Sequence, residues 1–203
     1  MHSLDLDYNK TFFLKSYSKI IDIDIHDGYE IPFLGYSNSG KSSVINALTN
    51  RKQLARFSKT PGRTQLINFF QVCPGFRIVD LPGYGYTQVP IFIKKKWQKI
   101  IVNYLKKRNQ IKTFVLIMDI RYPLKKLDQN IINIAMKKKV FIIILLNKCD
   151  KLKMQNRQKQ FNIVYKQLKL FLNFFEVLLF SSHKKIGISQ FKLILNNFYN
   201  TYI

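Results

Sequence analysis

The sequence predicts an α/β protein, a three-layer α/β/α sandwich around a mixed, mostly parallel six-stranded sheet with one antiparallel edge strand. Three observations carry this. Apolar runs of strand length alternate with stretches of helical periodicity, as when helices cover both faces of a parallel sheet. Residues 140–146 are continuously apolar, as a central strand covered on both sides must be. A glycine-bearing turn at residues 35–40 separates a strand-like run from a helix-like one. In doubly wound sheets that kind of junction holds ligands beyond the carboxyl ends of the strands.

Taken in order, residues 30–34 are a short, mostly apolar run and read as a strand. Residues 41–49 carry apolar side chains at helical spacing. Two strands follow, near 67–72 and 76–80, joined by Cys73-Pro74-Gly75. A Pro-Gly turn that short makes a hairpin, so the first of the two becomes the antiparallel edge. Helix 90–108, strand 113–119, helix 125–138, strand 140–146, helix 154–172, strand 175–180 and helix 187–200 complete the alternation. Residues 29–203 read as one domain and residues 1–28 as a short N-terminal extension. Within the extension, Ile21-Asp22-Ile23-Asp24-Ile25 alternates like an edge strand.

The turn at 35–40 belongs to Gly35-Tyr36-Ser37-Asn38-Ser39-Gly40-Lys41-Ser42, which fits the phosphate-loop pattern G-x-x-x-x-G-K-[ST]. Glycines let the backbone turn tightly and aim its N–H groups at a phosphate, and the helix adds its positive N-terminal end. Lys41 would reach the β- and γ-phosphates. The Ser42 hydroxyl would ligate Mg²⁺.

Asn147-Lys148-Cys149-Asp150 follows the 140–146 strand. N-K-x-D at such a strand end reads guanine. The Asp150 carboxylate accepts from N1–H and N2–H₂, a donor pair that adenine lacks. The Lys148 stem lies along the base plane, and Asn147 can tie this loop to the phosphate loop. Asp80-Leu81-Pro82-Gly83 ends the 76–80 strand. Asp80 can hold Mg²⁺ through water, and the Gly83 N–H can sense the γ-phosphate. A threonine between these motifs must complete the metal shell; Thr60 and Thr64 both qualify chemically. Phe180-Ser181-Ser182 ends the last strand, where backbone N–H groups could contact the guanine O6. Read apart from these neighbours, Pro82-Gly83 is an ordinary turn and Ser181-Ser182 an ordinary helix cap.

These residues resemble the EngB (YihA/YsxC) family of small bacterial GTPases, in the TrmE–Era–EngA–EngB group. The match runs through residues 35–70, including Gly62-Arg63-Thr64-Gln65-Leu66, and through Asp80-Leu81-Pro82-Gly83-Tyr84-Gly85-Tyr86. It continues with Trp97, Asp119-Ile120-Arg121, Leu127-Asp128 and Asn147-Lys148-Cys149-Asp150-Lys151-Leu152. The resemblance covers about residue 29 to the C-terminus. It implies a P-loop NTPase fold, GTP and GDP as ligands, and Mg²⁺ held by Ser42 and Thr64. It also implies roles in septation and in maturation of the large ribosomal subunit. Lys41, which would neutralise charge on the transferring phosphoryl group, and Thr64 and Gly83, which would each bond the γ-phosphate, are the expected catalytic set. Tyr84 stands where a water-positioning glutamine usually follows Gly83, so intrinsic turnover is expected to be slow. Asn38 raises K⁺ as a further ligand, or else simply stabilises the loop. Arg63 could approach the γ-phosphate in cis.

The 203 residues carry 34 Lys and Arg against 11 Asp and Glu, a net charge of +23. A/T-rich coding explains the abundant Lys, Ile and Asn better than it explains the scarce acids, because Glu30 and Glu176 are the only glutamates. A large anionic partner, ribosomal RNA, is the expectation. Candidate contacts are Lys94, Lys95, Lys96, Lys99, Lys106, Lys107 and Arg108 on one helix, and Lys137, Lys138 and Lys139 on another. Lys184 and Lys185 form a third group, and Arg51, Lys52, Arg56 and Lys59 a fourth. Each alone reads as a solvated face, and Trp97 as a packing residue. No run reaches the roughly 20 apolar residues of a membrane span, and the N-terminus lacks the apolar core of a signal peptide. Cys73 and Cys149 are isolated thiols. A soluble, cytoplasmic monomer is expected.

Overall fold

In a computed structural model of the chain, residues 5–55, 66–85 and 90–202 are described. The strands are β1 (Phe12–Tyr17), β2 (Tyr29–Gly35), β3 (Ile67–Cys73), β4 (Phe76–Asp80), β5 (Thr113–Asp119), β6 (Phe141–Asn147) and β7 (Phe175–Leu179). The helices are α1 (Lys41–Leu48), α2 (Ile91–Lys107), α3 (Lys126–Lys138), α4 (Met154–Lys169) and α5 (Ile188–Tyr202). They form one sheet in the order β1-β3-β4-β2-β5-β6-β7. Pairings from β4 through β2, β5 and β6 to β7 are parallel; β1 with β3 and β3 with β4 are antiparallel.

The period-two alternation along each strand divides the core into two layers. Leu34, Leu116, Ile144 and Leu146 face one side and pack with Ile101, Leu105, Ile131, Ala135, Val164 and Leu168 from α2, α3 and α4. Phe33, Val115, Ile143 and Leu145 face the other and pack with Val44, Ile45, Leu48, Phe191 and Leu195 from α1 and α5. Both faces of β6 are therefore dry, which is why its sequence shows no polar alternation. Trp97 is buried rather than presented to solvent.

Two expectations are corrected. The sheet has seven strands, not six, and β3 is an interior strand, because β1 pairs along its free side. The extra strand is also not the Ile21–Ile25 alternation, since Ile20–Asp22 forms a 3₁₀ turn in which Ile21 is largely exposed. The strand lies earlier, at Phe12–Tyr17. There Phe13 meets Phe70 and Tyr17 meets Phe69 edge-on, with ring centroids 6.0 and 5.5 Å apart. Cross-strand aromatic pairs of this kind stabilise a register, and they outweigh a local alternation that pairs with no strand among the described residues.

Candidate nucleotide-binding site

The parallel strands end together. In their registers Phe33 lies beside Asp80, Gly35 beside Ile117, Asp119 beside Asn147 and Leu146 beside Leu179. The loops after β2, β4, β5, β6 and β7 therefore share one rim of the sheet.

The loop after β2 is held tightly. Gly40 sits before α1 with φ +97°, and a Cβ there would lie 2.3 Å from Asn147 Nδ2. A Cβ on Gly35 would meet the Ile117 carbonyl at 2.6 Å. Both glycines are required by close approach, not by local turn preference alone. Asn38 is left-handed (φ 68°), a conformation asparagine tolerates, and its carbonyl accepts from Lys148 Nζ at 2.5 Å. The Ser39 hydroxyl is buried without a hydrogen-bond partner, while the Ser39 carbonyl accepts from Asn147 Nδ2 at 2.8 Å. Ser42 is the second residue of α1. Lys41 donates to Asp80 in a largely buried ion pair.

The loop after β6 is organised from three sides. Asp150 accepts from Ser181 Oγ at 2.6 Å, and this bond holds its carboxyl below the usual range. The Cys149 N–H donates to the Phe180 carbonyl at 3.1 Å, and its thiol, pushed up by burial, is no nucleophile. Ser182 approaches Asn147 Oδ1 at 3.4 Å. Lys148 is left-handed (φ 63°) and its ammonium lies 3.0 Å from Asp119 Oδ2. Burial pushes the Asp119 carboxyl up, but hydrogen bonds from Arg121 and Lys148 outweigh it and hold it at about 2. The carboxylate is thus a permanent anchor for the Lys148 stem. In the sequence Asp119 stands out only within the Asp119-Ile120-Arg121 resemblance. Its place at a strand end, ahead of an arginine two residues on, is what marks it.

In the loop after β4, the Leu81 N–H donates to the Phe33 carbonyl at 3.4 Å. Pro82, Gly83 and Tyr84 are buried behind it. Tyr84 packs on Tyr36, so the position after Gly83 points into the protein. Thr60, Gly62, Arg63, Thr64, Gln65 and Tyr86 lie outside the described residues, as do Arg56 and Lys59. Leu66 lines a cleft with Phe13, Ser16, Arg51 and Asn68.

Among the described residues no three His, Cys, Asp or Glu side chains converge as a metal cage. The oxygen donors at hand are the Ser42 hydroxyl and the Asp80 carboxylate. That sparse set suits Mg²⁺, which keeps its waters and takes phosphate oxygens from a nucleotide.

Fold and rim together define a guanine-nucleotide-binding domain. The profile of the family described as "50S ribosome-binding GTPase" matches residues 30–148. The chain is 67% identical over 194 residues to the probable GTP-binding protein EngB of Buchnera aphidicola subsp. Acyrthosiphon pisum, covering 96% of this chain and 95% of that one. It is 46% identical over 196 residues to the probable GTP-binding protein EngB of Escherichia coli, covering 97% and 93%. The chain belongs to the EngB family of GTP-binding proteins. A crystal structure of a probable GTP-binding protein engB shares the fold with a TM-score of 0.67 at 23% identity, over 82% of this chain and 97% of that one. Aquifex aeolicus Era bound to GDP and AlF₄⁻ shares it with a TM-score of 0.63 at 18% identity, over 84% and 56%. No described helix is long and apolar enough to cross a membrane.

Proposed function

We propose that the chain is a GTP-dependent switch with slow intrinsic hydrolysis, acting in large ribosomal subunit assembly and so needed for normal septation. The observation that supports this most is the joined pair of loops. Asn147 binds the phosphate loop at Ser39 while Asp150, three residues on, is oriented by Ser181. One rigid unit then grips the triphosphate and reads the base. In this reading residues 29–203 are the nucleotide-binding domain, with residues 1–28 as its N-terminal extension.

On this reading the amides of residues 36–42 and the Lys41 ammonium hold the phosphates. Asp150 accepts from the guanine, with the Phe180, Ser181 and Ser182 segment beside O6. Mg²⁺, held by Ser42 and Thr64 and through water by Asp80, supplies positive charge beside the β- and γ-phosphates. Gly83 and Thr64 bond the γ-phosphate, and losing it releases both segments. Tyr84 is buried and bonded elsewhere, so the residue after Gly83 offers no amide to an attacking water. Turnover is then slow until a ribosomal partner or a monovalent cation assists. Equal single-turnover rates in K⁺ and Na⁺ would leave Asn38 its loop role alone.

Exposed lysines such as Lys95, Lys96 and Lys99 on α2, with a net charge of +23, suit an RNA partner. Co-sedimentation with large ribosomal subunits tests the reading: association is expected in GTP, weaker in GDP, and weakened by salt. Association indifferent to nucleotide would favour a scaffold whose fold GTP merely stabilises.

A further inference from the structure

Two tyrosines, one from each phosphate-facing segment, converge on the start of α3. Tyr84 is paired by its backbone to the phosphate loop: the Ser37 N–H donates to its carbonyl at 2.6 Å, and its own N–H donates to Gly35 at 3.3 Å. Its ring stands edge-on to Tyr36, with centroids 4.8 Å apart. A Cβ on Gly85 would lie 2.2 Å from the Tyr36 ring, so the two segments are in full contact. The Tyr84 hydroxyl donates to Asp128 Oδ1 at 2.7 Å, and Asp128 Oδ2 accepts from the Lys125 N–H at 3.1 Å. The Tyr36 hydroxyl accepts from the Leu127 N–H at 3.2 Å, and the Lys125 ammonium lies 4.9 Å from the Tyr36 ring centroid.

Asp128 is only 2% exposed. A carboxylate so buried costs the fold stability, a cost that its hydrogen bonds only partly offset. What it does here is fix a phenol with a charge-assisted bond, stiffer and more directional than a neutral one. That phenol belongs to the residue next to Gly83, so a rotation about the Gly83–Tyr84 link would break the bond.

We propose that Asp128 is a positioning residue: acting through Tyr84, it sets where the Gly83 N–H stands against the phosphate loop, and thereby the preference for GTP over GDP. The inference rests on the GTP-switch reading. It also makes the N-terminus of α3 the place where the state of the γ-phosphate is transmitted, because the Lys125 N–H donates to Asp128 and the Leu127 N–H donates to the Tyr36 hydroxyl. The charged and titratable groups facing Asp128 are Tyr84 from the loop after β4, Tyr36 from the phosphate loop and Lys125 from the start of its own helix.

Calorimetric titration of the full chain with Mg²⁺, using GDP and a non-hydrolysable GTP analogue, tests this. Y84F and D128A are expected to bind the GTP analogue about 10- to 150-fold more weakly, the scale of one charge-assisted hydrogen bond, with GDP affinity within about twofold. D128N is expected to fall between wild type and D128A, because its carboxamide oxygen can accept from Lys125 and its NH₂ can donate to the Tyr84 hydroxyl, but without the charge that stiffens the wild-type bond. Should Y84F or D128A fail to fold, the pH dependence of the ratio decides between wild type and D128N. The wild type is expected to lose GTP preference down to the D128N level as Asp128 protonates below about pH 6, and D128N, which shares the nucleotide's own titration, is expected not to show that added loss. An unchanged ratio in folded Y84F, equal losses for both nucleotides, or identical pH profiles would overturn the inference alone. A wild type that binds neither nucleotide would overturn the GTP reading and this inference with it.

Discussion

Asn147 donates its side-chain amide to the carbonyl of Ser39 across 108 positions of sequence, at 2.8 Å. The bond joins the loop after β6 to the loop after β2, and the absence of a Cβ at Gly40 is what lets the amide in.

N147A removes this tie and leaves the Ser39 carbonyl unpaired. A buried unsatisfied acceptor costs about 1–2 kcal/mol, so GDP and GTP should both bind about 5- to 30-fold more weakly. G40A should be worse, because its side chain collides with Asn147. If the collision is the cause, G40A combined with N147A loses less than the two losses added. Strict additivity in calorimetric affinities would show that the two loops act separately.

Asp150 should decide the base. D150A is expected to weaken GTP binding by about 10²–10³, the scale of losing hydrogen bonds to a charged group, while weak ATP binding is unchanged. Competition against a fluorescent guanine analogue measures both. A comparable loss for ATP would mean that the substitution had damaged the loop instead of the reader.

The buried Asp128 carboxyl gives a stability prediction with a definite sign. Burial pushes it up to about 6 from 3.8, with the Tyr84 and Lys125 N–H bonds only partly opposing. The folded state therefore holds its proton more tightly than the unfolded chain. The stabilisation from that proton is complete below about pH 4 and is lost as pH rises through about 6. Near pH 7.5 the ionised carboxylate costs the fold about 3 kcal/mol. D128N should accordingly be more stable than wild type at pH 7.5, by about 1–3 kcal/mol, and equal to it near pH 4. Urea denaturation at the two pH values checks this; a D128N less stable at pH 7.5 would contradict it.

At the opposite end of β2, Glu30 is fully buried and accepts from both Arg108 and Tyr104. E30A strands the guanidinium in the core. It is expected to cost about 3–5 kcal/mol, read by urea denaturation, with guanine-nucleotide affinity of the folded fraction unchanged. A loss below about 1 kcal/mol would mean that the pair behaves like a surface ion pair.

The alternation of strands and helices and the glycines at 35 and 40 could be read along the chain, because each is a local matter of periodicity or of backbone freedom. So could the strand-end placing of Asp80, Asn147 and Asp150. The strand at Phe12–Tyr17 could not, since its stability comes from Phe69 and Phe70 more than fifty residues away. Asp119 as the anchor of Lys148 and Asp128 as the partner of Tyr84 were equally hidden, because a carboxylate's role depends on which donors meet it.

What the sequence by itself determined is the chemistry at the rim: which loops can cradle phosphate and which acid can read a base, since those follow from residue type and short spacing. What only the tertiary structure decided is how the loops are joined. Asn147 to Ser39, Lys148 to Asp119 and Tyr84 to Asp128 are contacts between segments that only the sheet order brings together. Side chains separated by tens of residues share a hydrogen bond only after the strands beneath them have fixed their distance and direction.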